Sequence, residues 1–353
     1  MSRLNQIVNV LQDYELDALL LTGPINRRWA TGFKSSAGAL VATREGSYFI
    51  IDGRYIESAK AAIQGVEVIQ IKAGQKYPDV VCEIIARHGA GRLGFEEQVM
   101  AQGTYTTYEE KLDWELVPAQ KLMDTLRASK SASELDLMGR AQAITDQTFA
   151  EILPVITPEM TERELAAEII YRLLKNGADK PSFDPIVVSG PRSSLPHGSP
   201  GDHALSGFVT MDFGAMFDGY CADMTRTIAI GTATDEMRRV YDTVLQAQLA
   251  GIRAARAGTP GKEIDAAARQ VITDAGYGAY FDHGFGHGIG LEVHEGINAG
   301  PTEERILPTG AVISAEPGIY LPGQFGVRIE DILHLTEFGS ENLTRSPKEL
   351  IVL

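Results

Sequence analysis

Three observations predict an α/β chain of two domains. Residues 1 to about 122 alternate helical and strand-like periodicity. The polar run Arg127-Ala-Ser-Lys-Ser-Ala-Ser-Glu134 then interrupts the hydrophobic pattern. Beyond it, Glu164-Leu-Ala-Ala167, ending at Gly177, recurs as Glu263-Ile-Asp-Ala266, ending at Gly276, at an offset of 99 residues. The length of 353 residues suits about two domains at ~150 residues each.

Taken in order, Leu4 to Leu11 has helical spacing and Asp17 to Leu21 reads as a short strand. Gly38 to Ala42 and Tyr48 to Asp52 form a β-pair about the turn Arg44-Glu45-Gly46. A helix over Arg54 to Ile63, a strand over Val66 to Ile71 and a helix over Tyr77 to Arg87 follow. The polar run reads as the linker, with Ser133 as N-cap of the next helix, Ser133 to Leu153. That helix and a second, Thr234 to Ala257, each precede one copy of the repeat, and strands follow each copy within Gly207 to Ile230 and Gly310 to Leu335. The repeat predicts two helix-helix-sheet halves facing each other, a junction at which sites often form.

Composition narrows the function. Lys plus Arg number 32 against 47 Asp plus Glu, a net charge of −15 that opposes bulk attraction to nucleic acid or anionic lipid. A 44% hydrophobic content is that of a folded globular chain. No apolar run approaches the ~20 residues of a membrane span, and the N-terminal residues lack a secretory core. Two cysteines, Cys82 and Cys221, are too few for a disulfide framework or a thiolate metal cluster. These features lead to the expectation of a cytoplasmic protein.

The chemistry concentrates after residue 196. Asp218-Gly219 is a hairpin signal inside the β-rich stretch Val209 to Thr227. A two-residue loop there sets Asp223 opposite Gly214 and diagonal to Asp212, whereas a four-residue loop pairs the two aspartates directly. Either register brings their Cβ atoms within about 4.5–8 Å on one sheet face. Two carboxylates so close on an apolar sheet call for a cation between them or a proton on one. Glu316 ends the apolar run Ala311 to Ala315, and Glu330 lies in a strand read as Gly326 to Leu333, on the same face as Arg328 and opposite Asp331. Carboxylate-x-Gly recurs in both halves, as Asp212-Phe-Gly214 and Glu316-Pro-Gly318. Three of the seven histidines, His283, His287 and His294, crowd one glycine-rich segment, and His197 stands in a turn-rich loop upstream. That segment lacks the third glycine of a dinucleotide fingerprint and the second histidine of an H-E-x-x-H zinc site.

Four carboxylates and an imidazole form an oxygen-dominated donor set whose charge balances two divalent cations. Such a set suits Mn²⁺, with Co²⁺, Fe²⁺ or Zn²⁺ also admissible. A metal pair lowers the pKa of bound water and stabilises the oxyanion formed at an attacked carbonyl, the chemistry of amide or ester hydrolysis.

The stretches Asp212-Phe-Gly-Ala…Gly-Tyr-Cys-Ala-Asp223-Met-Thr-Arg-Thr, Gly286-His-Gly-Ile-Gly-Leu-Glu-Val-His294-Glu, Ala315-Glu-Pro-Gly-Ile-Tyr320 and Val327-Arg-Ile-Glu330-Asp resemble the pita-bread metallopeptidases. Within these, the chain looks most like the Xaa-Pro peptidases, the branch of prolidase and aminopeptidase P. Thr31-Gly-Phe-Lys-Ser-Ser-Ala-Gly38 and Asp52-Gly-Arg-Tyr55 are similar to that branch's creatinase-type N-terminal domain. The resemblance implies such a domain over residues 1–125 and a pita-bread catalytic domain over 126–353.

Carried over by resemblance, Asp212 and Asp223 would ligate one metal, with Asp223 bridging. His287 and Glu316 would bind the second, and Glu330 would bridge both. His197 and His294 would contact substrate or polarise the scissile carbonyl, and Glu316 would orient or deprotonate the attacking water. His283 would line the proline-side pocket, Arg328 would hold Glu330 and nearby substrate groups, and Tyr320 would join the substrate-binding set. Cys221 departs from the Ser or other small residue common there, and Pro301 comes later after Glu295 than in the usual Glu-Gly-Pro. The implied substrates are proline-containing dipeptides or longer peptides, and the implied assembly is a homodimer. A dipeptidase is the first expectation and an aminopeptidase the second. Metal-free creatinase-like C–N hydrolysis, or an inactive binding module, would require loss of the carboxylates that are present here.

Overall fold

The computed structural model describes residues 2–89 and 91–353. Met1, the first residue of the expected N-terminal domain, and Ala90 lie outside the described residues. The chain divides into two compact units, Met1–Leu126 and Arg127–Leu353.

The first unit is a six-stranded sheet with helices. Its strands are β1 (Ala18–Leu21), β2 (Ala39–Thr43), β3 (Ser47–Ile51), β4 (Glu67–Gln70), β5 (Arg92–Phe95) and β6 (Glu115–Pro118), in the spatial order β4-β3-β2-β1-β5-β6. The β1–β2 and β2–β3 pairs are antiparallel, and the outer pairs are parallel. The helices are α1 (Arg3–Val10), α2 (Pro24–Thr31), α3 (Ile56–Ala62), α4 (Tyr77–Arg87), α5 (Gln102–Lys111) and α6 (Gln120–Ala128). Residues of β1 are fully buried, as an interior strand covered on both faces requires. Val80, Val81, Ile84 and Ile85 make one stripe of α4 and share a core with Leu20, Val41 and Ile50.

The second unit carries the repeat. Its first half contains α7 (Ala132–Ile152) and α8 (Glu162–Lys175), followed by β7 (Lys180–Pro181), β8 (Ile186–Ser189), β9 (Gly207–Asp212), β10 (Ala215–Phe217), β11 (Tyr220–Cys221) and β12 (Thr225–Ile230). The second half contains α9 (Asp235–Ala254) and α10 (Gly261–Asp274), followed by β13 (Gly286–Gly288), β14 (Glu295–Ala299), β15 (Val312–Ala315), β16 (Gly318–Leu321), β17 (Phe325–Arg328), β18 (Asp331–Thr336) and β19 (Gly339–Asn342). Helices α8 and α10 are both 14 residues long, and the glycines that follow them, Gly177 and Gly276, have φ of 103° and 86°. Sheet β12-β9-β8 belongs to the first half and sheet β14-β13-β15-β18-β19 to the second.

Three local expectations are corrected. The expected linker Arg127 to Glu134 is not a loose connection: α7 begins at Ala132, Ser129 bridges Ala311, and Arg127, Lys130 and Glu134 are buried. The N-cap is Ser131 rather than Ser133, and its backbone N–H donates to Glu134 at 2.8 Å in a capping box. The strand expected over Gly326 to Leu333 is broken at Ile329 and Glu330. Strand β17 pairs with β16, and β18 starts afresh between β15 and β19.

Candidate metal centre

The first pair of carboxylates is set by a hairpin. Phe217 pairs with Tyr220, so the loop is the two residues Asp218 and Gly219, with φ of 42° and 76° as a type I′ turn requires. The same register runs down to Asp212 opposite Thr225, which leaves Asp223 facing Gly214 and diagonal to Asp212. A Cβ on Gly214 would lie 1.8 Å from the carbonyl oxygen of Ala222, so the close approach of the two chains admits only glycine there.

The other donors arrive from the second half. His287 lies in β13, Glu316 between β15 and β16, and Glu330 in the break between β17 and β18. His287 Nε2 is 3.2 Å from Glu316 Oε1 and 3.7 Å from Asp223 Oδ2. One donor atom each of Asp223, His287 and Glu330 falls within 4.8 Å of the others. His287 Nδ1 faces the carbonyl oxygen of Gly288 at 3.2 Å, which assigns the proton of the neutral ring to Nδ1 and leaves the Nε2 lone pair toward the carboxylates.

Hydroxyl groups hold this arrangement. Ser314 Oγ accepts the His287 backbone N–H and donates to Glu316 Oε1, both at 2.9 Å. Thr225 Oγ1 donates to Glu330 Oε2 at 2.7 Å. Arg328 donates to Asp212 Oδ2 at 2.7 Å, to Thr225 Oγ1 at 3.0 Å and to Tyr320 Oη at 3.0 Å. The guanidinium therefore bonds Asp212 directly, and it reaches Glu330 through the Thr225 hydroxyl and through its charge. The Tyr320 hydroxyl, 2.9 Å from His283 Nε2, donates to it while His283 Nδ1 faces the Gly284 carbonyl at 2.8 Å.

The electrostatics are those of a cation site. Burial drives Asp223 well above the usual carboxylate range, and Glu330, Asp212 and Glu316 push it further. Burial also raises Glu330, with Glu316 and Asp212 acting in the same direction. Burial would raise Glu316 as well, but its bond to His287, with the charges of His287, His283 and Arg328, outweighs burial and holds it at about 2. Burial opposes the His287 proton, yet Glu316 prevails and raises its pKa. Asp212 Oδ1, Asp223 Oδ1 and Glu330 Oε1 are buried without hydrogen-bond partners among the described residues. Three such oxygens, clustered beside an imidazole lone pair, are costly unless a cation satisfies them. Divalent metal fits this donor set.

All ten expected site residues line one cavity of about 650 Å³: Asp212, Asp223, His283, His287, Glu316, Tyr320, Arg328 and Glu330 at its base and walls, His197 and His294 exposed to it. The His287 and His294 rings are 4.2 Å apart. Cys221 does not line the cavity; it is buried, with its thiol 3.8 Å from the Leu291 carbonyl. Gly300 and Pro301, in the segment that departs from the usual spacing, form part of the rim.

Sequence reasoning missed the residues that hold the loops. Glu295 accepts the Leu291 N–H at 2.8 Å and pairs with Lys130 at 3.0 Å and with Arg127, closing the loop that carries His294. Asp265 and Arg269 bind the Phe285 N–H and the carbonyls of Phe281 and His283, shaping the loop of His283. An i,i+4 Asp–Arg pair is a visible signal, but it reads as an ordinary helix-surface pair.

A model for metallopeptidase family M24 matches residues 136–337, and one for the creatinase/prolidase N-terminal domain matches residues 3–129. The chain belongs to metallopeptidase family M24. Its relatives include an Xaa-Pro dipeptidase from Pyrococcus furiosus, 34% identical over 99% of both chains. Among solved structures, an Xaa-Pro dipeptidase from Bacillus anthracis superposes with a TM-score of 0.96 at 40% identity over 99% of both chains. An X-Pro aminopeptidase from Thermotoga maritima superposes with a TM-score of 0.90 at 33% identity over the whole of both. As an M24 metallopeptidase with a creatinase-like domain ahead of a pita-bread domain, the chain is an enzyme that uses divalent metal.

Proposed function

We propose that this M24 enzyme is a dinuclear-metal exopeptidase that hydrolyses Xaa-Pro bonds, with Xaa-Pro dipeptides as its substrates. The observation that carries the reading is the convergence of three buried carboxylates, the partly buried Glu316 and His287 Nε2, with three carboxylate oxygens unpartnered among the described residues. The dipeptidases and prolidases among the full-length relatives favour the dipeptide mode. In this reading residues 1–125 are the creatinase-type domain and residues 126–353 the catalytic domain.

Asp212, Asp223, His287, Glu316 and Glu330 would hold the metal pair. Mn²⁺ or Co²⁺ suits the oxygen-rich set, with Fe²⁺ or Zn²⁺ as further candidates. When bound, the metal pair acidifies water and stabilises negative charge on the attacked carbonyl oxygen. Glu316, held ionised, takes the proton of the attacking water and returns it to the proline nitrogen as the C–N bond breaks. His197 and His294, exposed to the cavity, donate to the developing oxyanion. Burial, with the charge of His287, lowers the pKa of His294. Both His283 nitrogens face protein partners, so its ring presents an edge and a face to the proline side of the substrate. Tyr320 and Arg328 close that side of the pocket.

The X-Pro aminopeptidase structure that covers the whole chain supports a second mode, removal of an N-terminal residue from longer Xaa-Pro peptides. Hydrolysis of the Ala–Pro bond with added Mn²⁺, read as free proline from Ala-Pro and as Pro-Ala from Ala-Pro-Ala, tests both. Cleavage of the dipeptide alone supports the first reading and preference for the tripeptide supports the second. No turnover of either with Mn²⁺ or Co²⁺ overturns both. A homodimer in the cytoplasm completes the proposal. The two cysteines are free, and no helix among the described residues is long and apolar enough to cross a membrane.

A further inference from the structure

Behind the carboxylates, away from the cavity, lies a buried network anchored by the C-terminal segment. Arg226 is 1% exposed, and its N–H groups meet five acceptors: the carbonyls of Thr225 (2.9 Å), Glu330 (2.6 Å), Ser346 (2.8 Å) and Pro347 (2.8 Å), and Asp331 Oδ1 (2.8 Å). Asp331, fully buried, accepts on Oδ2 from Lys348 Nζ and Asn342 Nδ2, each at 2.7 Å. Lys348 Nζ also donates to Gln248 Oε1 at 3.0 Å. Gln248, fully buried on α9, sends its Nε2 to the carbonyl of Ala315 at 3.4 Å.

We propose that Lys348 is a positioning residue for the metal site: through Asp331 and Gln248 its ammonium ties together the two turns that carry Glu330 and Glu316. This rests on the metal-site reading above.

The physical need is specific. Glu330 sits in a strand break, where its backbone N–H donates to the Thr225 carbonyl at 3.1 Å. Glu316 stands just past the end of β15, where its N–H donates to the Phe285 carbonyl at 2.8 Å, so each turn hangs on a single backbone bond at its carboxylate residue's N–H. Their charges repel each other and those of Asp212 and Asp223 in a low-dielectric site. The turns must nonetheless be held close before a cation enters, or binding must spend affinity on ordering them. Arg226 grips the Glu330 carbonyl, and Lys348 links Asp331, the next residue, to the carbonyl that precedes Glu316. The segment bearing Lys348 is itself fixed: Asp146 on α7 accepts the backbone N–H groups of Arg345 and Ser346, and Tyr241 Oη donates to the Lys348 carbonyl at 2.9 Å. Asp331 keeps Arg226 and Asn342 as partners when Lys348 is replaced, so the substitution removes the link without stranding the buried carboxylate.

The test is calorimetric titration of metal-stripped, full-length protein with Mn²⁺. Outer partners of metal ligands contribute about 10–100-fold to affinity, and Lys348 acts through one more bond. K348M is therefore expected to raise the Kd about 10-fold, with K348R recovering most of the loss. Q248M breaks only the Glu316 branch, serves if K348M does not fold, and is expected to weaken binding about threefold or more. Unchanged Mn²⁺ affinity in K348M, even with a lowered Tm, overturns the inference and leaves the metal reading intact. For Q248M, unchanged affinity does the same if K348M does not fold. A wild-type protein that binds no Mn²⁺ overturns both.

Discussion

His287 Nε2 lies 3.2 Å from Glu316 Oε1, a contact between a strand side chain and one just past the end of a strand, both facing a cavity rather than a core. Without metal, Glu316 raises the pKa of the imidazole and so favours a proton on it. With metal, the same two atoms are free to turn to a cation. Chelation is therefore expected to abolish hydrolysis, with activity restored by Mn²⁺ or Co²⁺, and H287A to remain inactive at metal levels that saturate the wild type. Hydrolysis that persists in exhaustively chelated, metal-analysed protein contradicts this.

Asp223 carries the opposite prediction for stability. Burial and three neighbouring carboxyls penalise its charge, so D223N relieves strain in the metal-free protein while removing a ligand. The expected result is a higher Tm without metal, by roughly 2–4 °C per ~1 kcal/mol relieved, and loss of the Mn²⁺-induced Tm increase. A metal-free D223N melting below the wild type would contradict the repulsion argument.

Ser314 Oγ is the only atom among the described residues that binds both the His287 backbone and the Glu316 carboxylate. S314A removes a hydrogen bond to a charged group, about 1.5–3 kcal/mol, so kcat/KM is expected to fall roughly 10- to 100-fold with the fold intact. Steady-state kinetics at saturating metal, beside circular dichroism, checks this.

The pH dependence of stability follows from Glu295, which is far from titrating at neutral pH. Burial alone would raise its pKa, but Lys130 and Arg127 outweigh burial and lower it. A folded pKa below the unfolded value of ~4.3 means that its stabilisation is complete above that value and is lost as pH falls through the folded pKa. Acid unfolding curves of the wild type should therefore fall below about pH 4.3. E295Q, which leaves two buried cations short of a carboxylate, is expected to cost about 3–5 kcal/mol at pH 7 and to flatten that part of the acid limb. An acid limb identical in both proteins would contradict the assignment.

Gly214 offers a test of the hairpin geometry. A methyl group there meets the Ala222 carbonyl at 1.8 Å, backbone that cannot yield cheaply. G214A is expected to force Asp212 and Asp223 apart, weakening Mn²⁺ binding at least 10-fold together with a lowered Tm. Isothermal titration and thermal melting read the two effects side by side.

Elements were legible in the sequence where burial is one-sided and apolar. Helix α4 shows its Val80, Val81, Ile84 and Ile85 stripe openly and matches the expected Tyr77 to Arg87. Helix α2 is hidden because its buried face carries Asn26 and Arg27, satisfied by Glu96 and Ser35. Helix α5 is polar nearly all round, with Tyr108 its buried residue, and β5 and β6 are only four residues each. The candidate ligands were legible because carboxylates inside apolar strands, and histidines among glycines, contradict their surroundings. Ser314, Thr225 and Lys348 were not, because a hydroxyl or a lone lysine gives no sign of its partner until the chain is folded.

From its residues alone, this chain specifies the donor chemistry, the duplicated helical pattern, and a turn at Asp218-Gly219 that permits few registers. Those depend on side-chain type and short-range backbone sterics, which a linear pattern records. Only tertiary structure decides that the turn spans two residues, that the strand breaks at Glu330, that Arg328 grips Asp212, and that Lys348 reaches both carboxylate turns. Each of those depends on where distant segments pack, and packing is set by the whole core rather than by any local run of residues.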